Sequence, residues 1–238
     1  MDFAQLLQQK AEQANYNLSA VQIKQFTDYY QLLIETNKHM NLTAITEPEE
    51  VIVKHFIDSL TVYDEKYFQP TSLVCDLGTG AGFPGIPLKI WQRDLSIVLL
   101  DSLAKRLKFL DNVIQELQLN DIYTCHMRAE DAGRDKQHRE KYDVVIARAV
   151  APMTVLAEYC LPLVKVCGYF IAMKGKNWQE EMTVAQNAFA KLHAKVVEEK
   201  QFSMPGFFDE RAVIYLRKEK KTAEVYPRKA GTPEKQPL

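Results

Sequence analysis

Three glycines at alternate positions, Gly78, Gly80 and Gly82, follow a short apolar run that ends in Asp76. The surrounding segment, 73–88, reads LVCDLGTGAGFPGIPL, and its proline after the loop opens an amphipathic stretch. The pattern predicts a strand, a tight loop and a helix. Glycines at such a turn adopt backbone conformations that other residues avoid, and they let a ligand approach the main chain closely. The N-terminal amides of the following helix are expected to face that ligand.

The loop lacks the spacing of a dinucleotide-binding fingerprint, which needs a third glycine where this sequence has Phe83. Its pattern, Asp-x-Gly-x-Gly-x-Gly, resembles the first motif of Rossmann-like S-adenosylmethionine (SAM) methyltransferases. A SAM site is therefore the leading interpretation of the loop. A nucleotide site and a purely structural turn are the alternatives, because a single glycine loop has low specificity.

Polar residues at the ends of later apolar runs could complete such a site. Asp101 follows the run SIVLL and could accept hydrogen bonds from both ribose hydroxyls of an adenosine, while it or Ser102 could also cap the next helix. The segment 128–131 (RAED) follows a third run, where a small side chain would leave room for adenine and a polar group would meet its exocyclic amine. That segment could equally be a solvated charge cluster.

Arg148 lies among apolar residues at the end of a fourth run, in the segment ARAVAP (147–152). A guanidinium buried there without a partner would be costly, so Arg148 should face an anion. That anion could be the methionine carboxylate of SAM, a substrate phosphate or a carboxylate of the protein itself.

Motifs that are absent from the sequence narrow the chemistry. It lacks the Asn/Asp-Pro-Pro-Tyr/Phe motif common in methylation of exocyclic amines, and it lacks the Pro-Cys nucleophile used on pyrimidine carbons. It also has no Ser/His/Asp signature and no metal-ligand spacing. The remaining chemistry is transfer to an atom that is already a nucleophile, such as guanine N7, which carries no proton at neutral pH. Such a transfer needs alignment of the reacting atoms but no general base.

The elements that must position these residues form an α/β fold with an N-terminal helical region. Residues 1–68 read as three helices packed on the core, with capping boxes at Ser19–Gln22 and Thr46–Glu49, and with His39 and His55 as surface or capping residues. Beyond them, apolar strands alternate with helices, which indicates a parallel sheet with its ligand beyond the carboxyl ends of the strands. Predicted strands are 73–75, 96–100, 122–125, 143–147 and 169–173, followed by an antiparallel hairpin at the sheet edge, 196–202 with 212–216, whose short loop holds Pro205 and Gly206.

The charge distribution points to local contacts with an acidic partner. A formal net charge of -1 argues against broad, unspecific affinity for nucleic acid. Lys174 and Lys176 follow the fifth strand, and the last 22 residues hold seven Lys or Arg against three Glu, which favours contact with RNA phosphates there. The segment 217–238 has no apolar periodicity and is expected to be extended or loosely packed, and residues 219–238 are expected to form a basic tail. The N-terminus lacks the features of a signal peptide and no run reaches membrane-spanning length, so a cytoplasmic protein is expected.

Taken together, eight segments resemble the RsmG family, also called GidB, whose members are bacterial methyltransferases that modify N7 of one guanine in 16S ribosomal RNA. The resemblance spans nearly the whole chain. Its segments are NLTAI (41–45), KHFIDSL (54–60), DLGTGAGFPGIPL (76–88), DSLAKRLKFL (101–110), RAED (128–131), ARAVAP (147–152), MKG (173–175) and YPRKAGTP (226–233).

The resemblance implies a Rossmann-like class I SAM-dependent methyltransferase core, 69–218, between the helical region and a basic tail. Its cofactor would be SAM and its partner 16S ribosomal RNA or the small ribosomal subunit. Apart from the resemblance, we expect a monomer with no metal and no membrane partner. Asp76 would anchor the loop, and Arg148 would position cofactor or RNA. The predicted cofactor-binding residues are Gly78, Gly80, Phe83, Asp101, Ser102, Ala129, Glu130 and Arg148, and the predicted RNA-binding residues are Lys174, Lys176, Arg228 and Lys229. The alternatives are an enzyme of the same fold acting on a small molecule or protein, and a non-catalytic RNA- or ribosome-binding module.

Overall fold

A computed structural model describes residues 2–203 and 210–238, so the predicted loop with Pro205 and Gly206 lies outside the described residues. The helical region comprises α1 (Phe3–Gln13), α2 (Ala20–Met40), α3 (Pro48–Val51), a π-helical segment (Ile52–Ile57) and α4 (Asp58–Leu60). The last three follow one another without a break. Among the described residues, no helix is both long and apolar enough to cross a membrane.

One of the two predicted capping boxes is present. Ser19 and Gln22 form reciprocal hydrogen bonds at the start of α2, as predicted. The predicted box at Thr46 is wrong, because α3 begins after Glu47 without a side-chain cap. Pro48 occupies the first turn instead, where its fixed φ suits a helix and its missing N–H leaves no donor to satisfy.

Seven strands form one sheet in the order β3-β2-β1-β4-β5-β7-β6. The first five are parallel, β7 is antiparallel to β5, and β6 is antiparallel to β7. The predicted fold class and antiparallel strand pair are thus confirmed. Within that pair, only β6 lies at an edge of the sheet, because β7 is inserted between β5 and β6. The strands are β1 (Leu73–Leu77), β2 (Ser96–Asp101), β3 (Ile122–His126), β4 (Tyr142–Arg148), β5 (Val164–Lys174), β6 (Ala194–Ser203) and β7 (Glu210–Lys218).

Apolar side chains alternate between the two faces of the sheet and build a core on each. Along β4, Val144 and Ile146 belong to one core, while Val145 and Ala147 belong to the other. The first core also contains the helical region, whose Tyr29 donates a hydrogen bond to the carbonyl of the glycine loop at Ala81. The remaining helices are α5 (Gly85–Trp91), α6 (Ala104–Glu116), α7 (Ala129–Ala132), α8 (Met153–Cys160), α9 (Trp178–Val184), α10 (Gln186–Lys191) and α11 (Thr232–Lys235).

The order in which successive strands join the sheet reverses between β1 and β4. β1 pairs with β2 on one side and β4 on the other, so the connections diverge at the carboxyl ends of these two strands. In an open α/β sheet this divergence leaves a crevice for a ligand. The glycine loop follows β1, and Arg148 is the last residue of β4, so the fold brings both predicted groups to that crevice.

The tail is packed against the core, and the prediction of an extended or loosely packed tail is wrong. The Arg139 guanidinium donates to the carbonyl oxygens of Thr222 and Tyr226, each at 2.8 Å. Arg228 pairs with the carboxylate of Glu158, which is fully buried on α8. The tail is held by polar contacts and not by a periodic row of apolar residues. Its packing therefore gave no signal in the sequence.

Candidate active site

The glycine-loop cavity, of about 260 Å³, opens beyond the carboxyl ends of β1, β2 and β3. Five predicted cofactor residues from three separate strand ends line it: Gly78, Asp101, Ser102, Ala129 and Glu130. Gly80, Phe83 and Arg148 are not among the described residues that line this cavity. The arrangement confirms that these strand ends meet at one edge of the sheet.

Asp76 anchors the glycine loop, as predicted. It is fully buried, and its Oδ2 accepts hydrogen bonds from the Thr79 hydroxyl at 2.6 Å and the Gly85 backbone N–H at 2.9 Å. Burial raises the pKa of Asp76 to about 6, although the hydrogen bonds act in the opposite direction. The Gly85 amide at the start of α5 therefore donates to the protein. The prediction that it faces a ligand is wrong. Among the described atoms, Oδ1 of Asp76 has no hydrogen-bond partner.

Gly78 lies at a point where a larger residue does not fit. Its φ is +71°, in the left-handed region that favours glycine. A Cβ at this position would lie 2.6 Å from Cγ2 of Val150. The glycine thus keeps the main chain of the loop open between the cavity and the end of β4.

Asp101 connects the glycine loop to the segment before α6. Its carboxylate accepts hydrogen bonds from the backbone N–H of Gly80 at 3.0 Å and of Leu103 at 2.9 Å. It therefore holds the glycine loop and the start of α6 together while also lining the cavity. Gly80 does not line the cavity itself, and its backbone N–H holds the Asp101 carboxylate that does.

Glu130 is buried, which excludes the interpretation of a solvated cluster for this residue. It is 4% exposed at the start of α7, and its Oε1 accepts a hydrogen bond from the backbone N–H of Gly231 at 2.9 Å. Tyr159 and Glu234 also line the cavity, and neither follows a predicted strand or belongs to a predicted site motif. The tail therefore reaches the predicted adenine end of the site.

The Arg148 cavity, of about 320 Å³, lies on the other side of the end of β4. It shares Ala149 and Val150 with the glycine-loop cavity. Ala149 has φ +54°, an uncommon conformation for a residue with a side chain and one that is often found at functional sites. Charged side chains dominate the polar lining of this cavity: Asp58, Arg148, Lys174, Glu181 and Arg211.

The anion that Arg148 faces is a protein carboxylate, the third of the alternatives. Nη1 of Arg148 lies 2.9 Å from Oδ2 of Asp58, whose side chain is 6% exposed, and 3.1 Å from the carbonyl oxygen of Lys54. The guanidinium also lies 5.0 Å from the centre of the Phe83 ring. Phe83 and Asp58 thus fix the orientation of Arg148, and Phe83 contributes to the site through this contact.

His55 supports Arg148 as a buried, neutral ring, so its interpretation as a surface or capping residue was wrong. The ring stacks on Phe83 with centroids 4.4 Å apart, and Nη2 of Arg148 lies 3.3 Å from its Nδ1. Burial, followed by the positive charge of Arg148, lowers the pKa of His55 to about 3. Nδ1 also lies 3.2 Å from the carbonyl oxygen of Lys54, and Nε2 lies 2.8 Å from the Thr43 hydroxyl.

Two of the four predicted RNA-binding residues form ion pairs within the protein. Nζ of Lys174 donates to Oε2 of Glu181 at 2.7 Å and to the carbonyl oxygen of Ala151 at 2.8 Å. Arg228 donates from Nη2 to Oε2 of the buried Glu158 at 2.6 Å. Both cations are neutralised by the protein. The end of β5 brings Lys174 to Glu181 on α9, and the tail brings Arg228 to Glu158 on α8. Lys176 and Lys229 are exposed, and RNA contact stays a prediction at all four positions.

The chemistry of the Arg148 cavity is that of positioning rather than proton abstraction. Its carboxylates, Asp58 and Glu181, are each paired with a cation, Arg148 and Lys174 respectively. Within residues 2–203 and 210–238, no cluster of three or more His, Cys, Asp and Glu could hold a metal ion. Sequence reasoning did not select Asp58 or Glu181, although Asp58 lies in the segment KHFIDSL on which the family resemblance partly rests.

Solved structures share this fold at low sequence identity. A Pyrococcus horikoshii TYW2 structure in complex with MeSAdo aligns with a TM-score of 0.53 at 14% identity, covering 68% of this chain and 62% of that one. Methanococcus jannaschii TYW2 in complex with AdoMet aligns with a TM-score of 0.51 at 15% identity, covering 63% of this chain and 70% of that one. Identities this low support the common fold alone.

Relatives of higher identity extend over the whole chain. A ribosomal RNA small subunit methyltransferase G from Alkaliphilus metalliredigens is 47% identical over 238 residues, which is 100% of both chains. Its counterpart from Halalkalibacterium halodurans is 50% identical over 230 residues, 97% of both chains. Residues 22–212 match the family described as rRNA small subunit methyltransferase G, GidB. The chain therefore belongs to the GidB family of rRNA small subunit methyltransferases, which confirms the resemblance found in its sequence.

Proposed function

We propose that this protein transfers a methyl group from SAM to N7 of a specific guanine in 16S ribosomal RNA. The observation that carries the proposal is the junction of the two cavities at Ala149 and Val150, at the carboxyl end of β4. One cavity has the features of a nucleoside site, and the other offers paired charges around an open volume. A methyl group leaving a ligand in the first would reach an acceptor base in the second at this junction.

The residues of the glycine-loop cavity fit SAM. Gly78 leaves the main chain open to the methionine end, and Oδ1 of Asp76 is a buried acceptor whose hydrogen bonding is not satisfied by the described residues. Asp101 would accept from the ribose hydroxyls, and Ala129 and Glu130 would contact the adenine. When bound, SAM supplies a methyl group already activated by its sulfonium charge.

The Arg148 cavity would hold the acceptor guanine. Neither carboxylate there is free to act as a base, because Asp58 and Glu181 each neutralise a cation. Guanine N7 carries a lone pair and no proton at neutral pH, so its methylation needs alignment only. Arg148, fixed by Asp58 and Phe83, would position the base or the cofactor within this alignment.

The RNA would bind across the same edge of the sheet. Lys176 follows β5 beside the Arg148 cavity, and Lys229 belongs to the tail; both are exposed cations. Two matching relatives carry "small subunit" in their names, which supports ribosomal RNA or the small subunit as the partner. In this proposal a cytoplasmic monomer combines a helical region (1–68), a SAM-binding core (69–218) and a tail (219–238).

Requirement for RNA separates this proposal from an enzyme of the same fold that modifies a small molecule or a protein. The test is incubation of the full-length protein with methyl-labelled SAM in a bacterial extract, with and without prior digestion by ribonuclease. The proposal predicts that label enters RNA and that ribonuclease abolishes its incorporation into large molecules. Label in a ribonuclease-resistant product would support the alternative.

A further inference from the structure

The last segment of the chain crosses α8 and ends beside the glycine-loop cavity. The pair between Arg228 and the buried Glu158 anchors it to that helix. Three residues later, the backbone N–H of Gly231 donates to Oε1 of Glu130 at 2.9 Å. Gly231 has φ +78°, a conformation that favours glycine, and it begins what we call the C-terminal turn, residues 231–234.

Glu234, the last residue of the C-terminal turn, brings a second carboxylate to the same end of the cavity. Its Oε1 accepts a hydrogen bond from the Tyr159 hydroxyl at 3.2 Å, and Glu130, Tyr159 and Glu234 all line the cavity. Burial, and then the charges of Glu130 and Glu234, raise the pKa of Tyr159, so the hydroxyl keeps its proton and donates. Within the described part of the chain, neither carboxylate forms an ion pair with a cation.

Arg106 and Arg128 also line the cavity, but neither forms an ion pair with Glu130 or Glu234 among the described residues. The buried carboxylate of Glu130 therefore requires N–H or O–H donors, whereas Glu234 is exposed at the mouth of the cavity. The Tyr159 hydroxyl and the Gly231 amide supply one donor each. Both carboxylates line the cavity at the end where the sequence predicts adenine, and each has acceptor capacity beyond these hydrogen bonds. The 6-amino group of adenine carries two N–H donors, whereas hypoxanthine has a carbonyl oxygen at that position.

We propose that the C-terminal turn is a specificity element of the cofactor site: Gly231 positions Glu130, and Glu234 supplies a second acceptor for the 6-amino group of adenine. This inference rests on the proposed SAM site. It gives the tail a function in cofactor selection that is separate from RNA binding. It also explains why a polar tail is held in place by a buried ion pair.

The test compares two ligands that differ at a single group of the base. S-adenosylhomocysteine and S-inosylhomocysteine are titrated calorimetrically into the full-length protein, and the ratio of their dissociation constants is the readout. The wild type should prefer the adenosine compound. Glu234→Gln should reduce this preference by about tenfold, because an amide can also donate to the inosine carbonyl and a hydrogen bond to a charged group is lost. Glu224→Gln removes an exposed carboxylate of the same tail and should leave the ratio unchanged.

A structural role for the turn would weaken both ligands equally and leave their ratio at the wild-type value, which would overturn the inference. If Glu234→Gln does not fold, Tyr159→Phe carries the same test, because it removes the donor that orients Glu234. An unchanged ratio in that variant would overturn the inference as well. Failure of the wild type to bind S-adenosylhomocysteine at all would overturn the SAM proposal and this inference with it, so the two failures are distinguishable.

Discussion

Oδ2 of Asp58 lies 2.9 Å from Nη1 of Arg148, and this ion pair connects the helical region to the carboxyl end of β4. Asp58 is the first residue of α4, and Arg148 is the last residue of β4. Both line the Arg148 cavity. The helical region therefore contributes a charged group to the site and does not only cover the sheet.

Asp58→Asn should impair methyl transfer, because it removes the charge that neutralises and orients Arg148. We expect kcat to fall by about 100-fold, the scale of a misplacement of roughly 1 Å at an active site, and the free energy of unfolding to fall by about 3 kcal/mol. Steady-state kinetics and urea unfolding measure the two effects. Asp64→Asn breaks a more exposed ion pair with Lys200 and should leave kcat unchanged. Wild-type kcat in Asp58→Asn would remove the ion pair from the mechanism.

Gly78→Ala should abolish cofactor binding, because the new Cβ would lie 2.6 Å from Cγ2 of Val150 in a backbone conformation that alanine disfavours. Gly80→Ala is the matched control: its φ is also positive, at +61°, but its nearest neighbour lies 3.9 Å away. The control should show only the cost of holding alanine in this backbone conformation, a loss of about 1 kcal/mol in the free energy of unfolding. Calorimetric titration with S-adenosylhomocysteine measures both variants.

The double variant Gly78→Ala, Val150→Ala separates crowding from backbone strain. Removing the Val150 methyl groups should restore binding to the level of Gly80→Ala, because the strain remains and the close contact does not. Binding of Gly78→Ala at the wild-type level would show that the loop does not need an open main chain at this point.

His55 should make the stability of the protein depend on pH in the acid range. Its pKa in the folded state is about 3, below the ordinary value of 6.5, so the unfolded state binds the proton more tightly. The stabilising contribution of neutral His55 is thus complete above about pH 6.5 and is lost as the pH falls toward 3, at a rate approaching 1.4 kcal/mol per pH unit. Urea unfolding between pH 4 and 7 should show a shallower slope in His55→Gln.

His39→Gln is the control for this slope, because His39 is exposed. It should reproduce the pH dependence of the wild type. Equal slopes in the wild type and His55→Gln would mean that the ring is accessible to protons in the folded state, and the account of His55 as a buried support of Arg148 would be wrong.

The sequence predicts the strand ends well because their signals are local. Each apolar run and the polar residue after it identify a strand and its carboxyl end, which places Asp101 and Glu130 at one cavity. The counter-ion of Arg148 could not be found in this way, because Asp58 lies 90 positions earlier in the chain. The course of the tail could not be predicted either, because it is fixed by contacts such as that of Arg228 with Glu158, 70 positions earlier, and these contacts follow no periodic pattern in the sequence.

Arg228→Met should destabilise the fold rather than weaken RNA binding directly. It leaves the fully buried carboxylate of Glu158 without its charge partner, which should lower the free energy of unfolding by about 3 kcal/mol. Adding Glu158→Leu should recover a large part of that loss, because an apolar pair can replace a buried ion pair. Urea unfolding measures this cycle, with the exposed Lys221→Ala as a control that should not change stability. Undiminished stability of Arg228→Met would contradict the anchoring role of the pair.

Identification of the methylated nucleoside distinguishes methylation of guanine N7 in 16S ribosomal RNA from every other reaction of this fold. Methyl-labelled SAM is incubated with the protein and either unmodified 16S ribosomal RNA or small subunits that lack the modification, and the RNA is then digested to nucleosides and separated. We expect label in 7-methylguanosine from one position of the 16S RNA. The better substrate of the two shows at which stage of assembly the enzyme acts. Label in any other nucleoside, or tight SAM binding with no label in either RNA, would contradict the proposed function.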